Sequence, residues 1–137
     1  MKKIIIGAAV ISSFLGGCRV IQPEYQPNKD STAMMVLGSK FAKSFADYNA
    51  DEFLECLSPE VRESLNKEKF ENSYREIVDK FGNVESCELM GNLENPIYQI
   101  QLWKMRFAKG NNINDMLFRV LMAETDGHIQ VVSFAFL

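Results

Sequence analysis

The chain is 137 residues long, 47% hydrophobic and 24% charged, with a formal net charge of −3. That acidic balance, and the lack of any Lys/Arg block, argue against a partner with a phosphate backbone, so no nucleic acid is expected. The length suits one domain around one core, and no internal repeat or low-complexity tract divides it.

The first eighteen residues carry an export pattern. Lys2 and Lys3 precede an apolar run over residues 4–15, and Gly16, Gly17 and Cys18 follow. A basic start, an apolar stretch and small residues at the cut make a secretory signal. The run is about twelve residues, too short for a retained span, which needs roughly eighteen or more. Leu15 is too large for an ordinary signal-peptidase site. Leu15-Gly16-Gly17-Cys18 instead resembles the lipobox of bacterial lipoproteins. That resemblance implies cleavage before Cys18, a diacylglycerol on its thiol and a further acyl chain, such as palmitate, on its new amine. Two or more chains anchor a protein stably, at about 0.8 kcal/mol per buried methylene. The membrane is then the first partner, reached through Cys18. Arg19, where an aspartate would favour the inner membrane, implies the outer membrane if the host has two. Loss of Lys2 and Lys3 takes the formal charge to −5.

Residues 19–30 read as a tether. Pro23 and Pro27 favour extended backbone there. A helix is expected to open near Asp30, Ser31 and Thr32, all good capping types. Met34, Leu37, Phe41, Phe45 and Tyr48 then form its apolar stripe. A short helix is expected over 51–57. Ser58-Pro59 opens another, and Asn66 caps a fourth, striped by Phe70, Tyr74, Ile77 and Phe81 and closed by Gly82. After Gly82 the period changes to that of strands, first over 84–90. In the long segment 97–108, Tyr98, Ile100 and Leu102 alternate before Trp103, Met105 and Phe107 take over. This phase change predicts a bulge between 102 and 103. Met116, Phe118, Val120 and Met122 alternate in a third strand. Asp126-Gly127 makes a tight hairpin turn, and Val132, Phe134 and Phe136 are expected to face inward from the last strand.

Helices followed by consecutive antiparallel strands specify an α+β fold, with N-terminal helices packed on a curved four-stranded sheet. The expected division is signal over 1–17, lipidated cysteine and tether over 18–30, and domain over 31–137. The segment FAKSFADYNADEFLECLSPEVRESLNKEKFENSYREIVDKFG, residues 41–82, resembles the helical half of a domain-of-unknown-function family. Its cues are the small-aspartate turn after the first helix, Leu-Ser-Pro-Glu, and an amphipathic helix ending Phe-Gly before the strands. That family belongs to the nuclear-transport-factor-2-like, or cystatin-like, cone-shaped superfamily. The resemblance implies a curved sheet wrapped on a long helix, with a pocket at the open end.

Few residues offer chemistry. His128 is the lone histidine and a weak catalytic candidate. If Val132, Phe134 and Phe136 face inward, period-two spacing puts it on the same face near the rim. The competing reading is an inert hairpin-end histidine. Tyr48, Tyr74, Trp103 and Met105 are candidates to line an apolar pocket, against the alternative of ordinary core. Tyr48 and Trp103 stand out because a buried hydroxyl or indole needs a hydrogen-bond partner. Cys56 and Cys87 can either pair in an oxidising envelope or remain separate thiols, and the second is preferred. No metal ligand set, phosphate-binding glycine loop or nucleophile elbow is present, so neither metal nor cofactor is expected.

The leading functional expectation is a non-catalytic envelope binding module for a protein partner or a small apolar ligand. One alternative is a small pocket enzyme of isomerase, dehydratase or hydrolase type, with His128 as base and Tyr48 or Tyr74 as hydrogen-bond donor. Another is an accessory subunit of an envelope complex, or an immunity or inhibitor lipoprotein. An exposed patch would mark such an assembly, with Leu117 and Leu121, or Ile129 and Val131, as its outward candidates.

Overall fold

Four helices and a four-stranded meander account for residues 29–137, the part that the computed structural model describes. The signal, Cys18 and most of the tether fall outside these residues. Helix α1 spans Lys29–Ala46, α2 Ala50–Glu55, α3 Pro59–Ser64 and α4 Lys67–Phe81. Strands β1 (Asn83–Glu94), β2 (Tyr98–Lys109), β3 (Asn112–Thr125) and β4 (His128–Phe136) pair in that order, each antiparallel to the next. The helices cover one face, and α1 lies against all four strands.

The helix signals act where the sequence puts them. Asn49 and Asn66 each accept a backbone N–H from three residues on, at 3.2 and 2.9 Å. Pro59 stands at the start of α3. Gly82 ends α4 at φ 97°, and a Cβ there would come within 2.0 Å of the Ala108 carbonyl oxygen. Only glycine fits that close approach of the helix end to β2. Helix α1 begins at Lys29, so Ser31 lies inside its first turn and reaches the sheet instead of capping.

Two strand expectations need correction. Strand β2 carries no bulge: Gln99, Gln101, Trp103, Met105 and Phe107 are all buried, in unbroken alternation. The irregularity opposite Leu102 and Trp103 belongs to β1, where Met90 is the extra residue between Leu89 and Gly91. A second extra residue in β1 is Glu85, between Val84 and Ser86. On β4, Leu121 pairs with Ser133 and Met122 with Val131, so Val132 is extra. That extra residue shifts the phase. Val131 is fully buried, and Ile129, Phe134 and Phe136 pack on the core, whereas Val132 does not. Of the two outward pairs expected, Leu117 is exposed and Leu121 half-buried, while Val131 is core.

Candidate functional site

The concave side of the sheet is filled with rings. Phe41 stacks on Phe53 at 4.2 Å and lies 5.8 Å from Phe118. Phe118 meets Phe136 at 4.7 Å, Phe45 meets Phe136 at 5.1 Å, and Phe53 meets Phe134 at 5.3 Å. Contacts of this kind add about 0.5–1.5 kcal/mol each beyond area burial. Met105 is fully buried in the same core. Among the described residues, these side chains form the aromatic core between helices and sheet.

Toward the start of β2 the inward side chains become polar. Gln99 and Gln101 are buried beside the first half of α1. Trp103 Nε1 donates to Gln101 Oε1 at 2.8 Å. Gln101 Nε2 donates to Gln99 Oε1 at 3.3 Å and to the Met35 carbonyl at 3.4 Å. Gln99 Nε2 reaches the Ser31 carbonyl at 3.3 Å and Glu94 Oε1 at 3.1 Å. Ser31 Oγ donates to Glu94 Oε1 and so completes the chain from helix to hairpin. At Gly38 a Cβ would meet Gln101 Oε1 at 2.1 Å, so the glutamine amide rests directly on the helix backbone. A buried amide without partners is costly, whereas a satisfied network fixes one arrangement.

Sequence reasoning missed Gln99, Gln101, Ser31, Glu94 and Gly38. The signal was present in two forms. The alternation from Phe107 back to Trp103 continues into the glutamines once polar residues are allowed inward. The indole of Trp103 also required an acceptor, and its own strand supplies one two residues away.

The pocket candidates do not meet at one place. Tyr48 and Tyr74 do come together, with rings stacked at 4.4 Å. Trp103 belongs to the glutamine chain and Met105 to the core. Tyr48 lies beyond the end of α1 at φ 56°, in the left-handed region, and 42% of it is exposed. A non-glycine residue held there marks a conformation fixed by its surroundings. Around it is a depression of about 400 Å³, lined by Asp47, Tyr48, Asn49, Ala50, Asp51, Lys67 and Glu71. Lys67 Nζ lies 3.5 Å from Asp51 Oδ1. Burial first, then Tyr48 and Asp47, push the Tyr74 phenol up from its ordinary value. Three carboxylates against one ammonium make the depression suited to a cationic side chain.

His128 is exposed and pairs with Thr125 across the hairpin. It therefore shares a register face with Thr125, opposite to the face that buries Met122 and Val131. The extra residue Val132 undoes the spacing argument that would have turned it inward. Cys56 and Cys87 are free thiols, the first buried and the second half-buried. Burial pushes each of them up to about 11. Among the described residues, no group of three or more His, Cys, Asp and Glu is placed to hold a metal ion. Among the same residues, no helix is long and apolar enough to cross a membrane.

Comparison with known proteins identifies the fold. No protein-family model matches the chain, and no curated protein matches it. Solved structures do. A putative SnoaL-like polyketide cyclase from Jannaschia sp. CCS1 superposes with a TM-score of 0.59 at 12% identity, over 82% of this chain and 90% of that one. A protein designated Rd1NTF2_04 with long sheet gives a TM-score of 0.58 at 10% identity, over 76% and 99% of the two chains. A SEC-C motif containing protein of Rhodopseudomonas palustris gives 0.51 at 16% identity, over 90% and 86%. The fold is the nuclear-transport-factor-2-like α+β cone, as expected from residues 41–82. At these identities the likeness extends to shape alone.

Proposed function

We propose that this protein is a lipid-anchored envelope protein whose domain is a non-catalytic binding module for a protein partner. The observation that carries the second half is the filled interior. In the cone fold a small ligand would bind where Phe41, Phe53, Phe118, Phe134 and Phe136 pack ring against ring. That packing supports a surface, rather than the interior, as the place of recognition. The depression around Tyr48 is the surface we assign to it, because a strained, stacked tyrosine rimmed by Asp47, Asp51 and Glu71 offers an aromatic shelf and negative charge together. A basic side chain on the partner is its complement.

The anchor half rests on the order of residues 2–18 and is tested separately. A Cys18→Ala chain should lose incorporation of a labelled lipid precursor and leave the membrane fraction. Full retention of that chain on membranes would refute the anchor. For the binding half, a photoreactive side chain at position 48 should crosslink one protein in intact cells, and Asp47→Asn with Asp51→Asn should weaken that product. Equal crosslinking from position 48 and from Asn111, in the β2–β3 turn, would remove the assignment of this surface.

A further inference from the structure

The β1–β2 hairpin ends in an apolar tip. Leu93 is 62% exposed, Ile97 75% and Tyr98 37%, with exposed Pro96 among them. Isolated exposed aliphatic residues need no explanation, but three clustered on one turn do. Three backbone N–H groups of this turn are satisfied from within. Asn95 Oδ1 accepts from the backbone N–H of Ile97 and of Tyr98 at 2.8 and 2.9 Å. Asn95 N in turn donates to the Tyr98 carbonyl at 3.0 Å. The acid of the tip, Glu94, is folded back onto Ser31 and Gln99. These internal bonds lower the cost of taking the turn out of water, because unpaired polar groups are what make the transfer costly.

Its position is the second observation. The bonds from Glu94 and Gln99 to Ser31 fasten the tip to the first turn of α1. The chain from Cys18 enters the domain at that turn. Residues 19–28 lie between, and fully extended they span about 30 Å at roughly 3.1 Å per residue. The end of the domain that the chain from Cys18 joins is therefore the end that carries the apolar tip.

We infer that the β1–β2 hairpin tip docks into the bilayer that holds Cys18, with Leu93, Ile97 and Tyr98 at the boundary between headgroups and acyl chains. This rests on the anchor reading above. The tyrosine suits such a boundary, being apolar in body and polar at its end. The β3–β4 turn lies at the same end, since Tyr98 pairs with Ala123, and it bears exposed Glu124, Asp126 and His128. Its two carboxylates make the contact apolar rather than electrostatic, so neutral lipid is preferred over anionic lipid. The depression around Tyr48 lies beyond the opposite end of α1, so a docked domain holds it away from the lipid.

The experiment uses the full chain, lipidated in cells and reconstituted into phosphatidylcholine vesicles. An environment-sensitive fluorophore is placed at Ile97→Cys in a Cys87→Ala background, and in a second sample at Asn111→Cys. The buried Cys56 takes no label in the folded protein. A doxyl-labelled lipid should quench the probe at position 97 severalfold more than that at 111, while aqueous iodide should do the reverse. Adding phosphatidylglycerol should reduce the lipid quenching, and Leu93→Glu with Ile97→Glu should abolish the docked signal from a probe at position 98. Equal quenching at 97 and 111, in a chain that still floats with the vesicles, overturns the docking and leaves the anchor intact. A chain that does not float overturns both.

Discussion

Gly38 is the residue whose side chain matters most by being absent. Its hydrogen lets the Gln101 amide lie on α1, where an added methyl would meet Gln101 Oε1 at 2.1 Å. Gly38→Ala should therefore destabilise the domain by about 1–3 kcal/mol, the cost of a buried amide pushed off its partners. In a Gln101→Ala background the clash is gone, and the same change should stabilise by roughly 1 kcal/mol through helix propensity. A double-mutant cycle in urea measures that reversal of sign. The two thiols supply a pH dependence. Each is raised from an ordinary 9.0 to about 11 in the fold, burial being the main cause. Above pH 9 the unfolded chain ionises first and binds fewer protons than the native one. Stability contributed by the neutral thiols is thus complete below pH 9 and lost as the pH rises toward 11. Unfolding midpoints measured across that interval should fall, and a protein with Cys56→Ala and Cys87→Ala should show a shallower decline.

At the scale of elements, helices were legible and strand phase was not. Caps and stripes are local, and Asn49, Asn66, Pro59 and Gly82 act within a turn of their own position. An extra residue is visible only against the partner strand. The apolar residues of β2 change phase near Trp103 because Gln99 and Gln101 face inward, and the extra residue of this ladder, Met90, lies on the other strand. Likewise Val132 looks inward by period two until the β3–β4 register shows it to be extra. The candidate site was legible only in part for the same reason. Tyr48 and Tyr74 were chosen individually, but their stacking depends on how α1 and α4 lie together. The inward placing of His128 follows from a phase that Val132 breaks. Deleting Met90 tests the role of an extra residue directly. With Met90 gone, the pairs Leu89–Trp103 and Gly91–Leu102 become consecutive, so the deletion should remove the irregularity and leave Glu94 opposite Gln99, still facing Ser31. Glu94→Ala sensitivity kept in the deletion variant, read from thermal midpoints, is the expected result, and its loss would mean that the strand slips in register instead.

For the whole molecule, the decisive feature is the ring-on-ring packing between helices and sheet. Phe53 touches Phe41, Phe45, Phe70 and Phe134, so Phe53→Ala should cost about 3–5 kcal/mol. Chemical denaturation gives that figure, and a value below about 1 kcal/mol would mean that the interior collapses readily around the gap. Fold class followed from the order of helices and strands, because layer architecture depends on where periodicity changes and not on exact register. Whether the cone was hollow did not follow, since a phenylalanine stripe reads the same whether its rings meet one another or surround a void.

The short parallel bridge between Leu57 and Val131 has a consequence for how the chain acquires this shape. Ser58 N donates to the Val131 carbonyl at 2.9 Å, and Val131 N donates to the Cys56 carbonyl at 2.9 Å. The link between α2 and α3 is thus stitched to the last strand, across most of the domain's length in sequence. Closing so large a loop is entropically slow and must await the final hairpin. A nascent chain that lacks β4 can pack α1 on β1, β2 and β3 but cannot tie the link between α2 and α3 to the sheet. The link is therefore among the last contacts of the fold to form, and the docking of helices on the sheet is completed only when the chain has been made through β4.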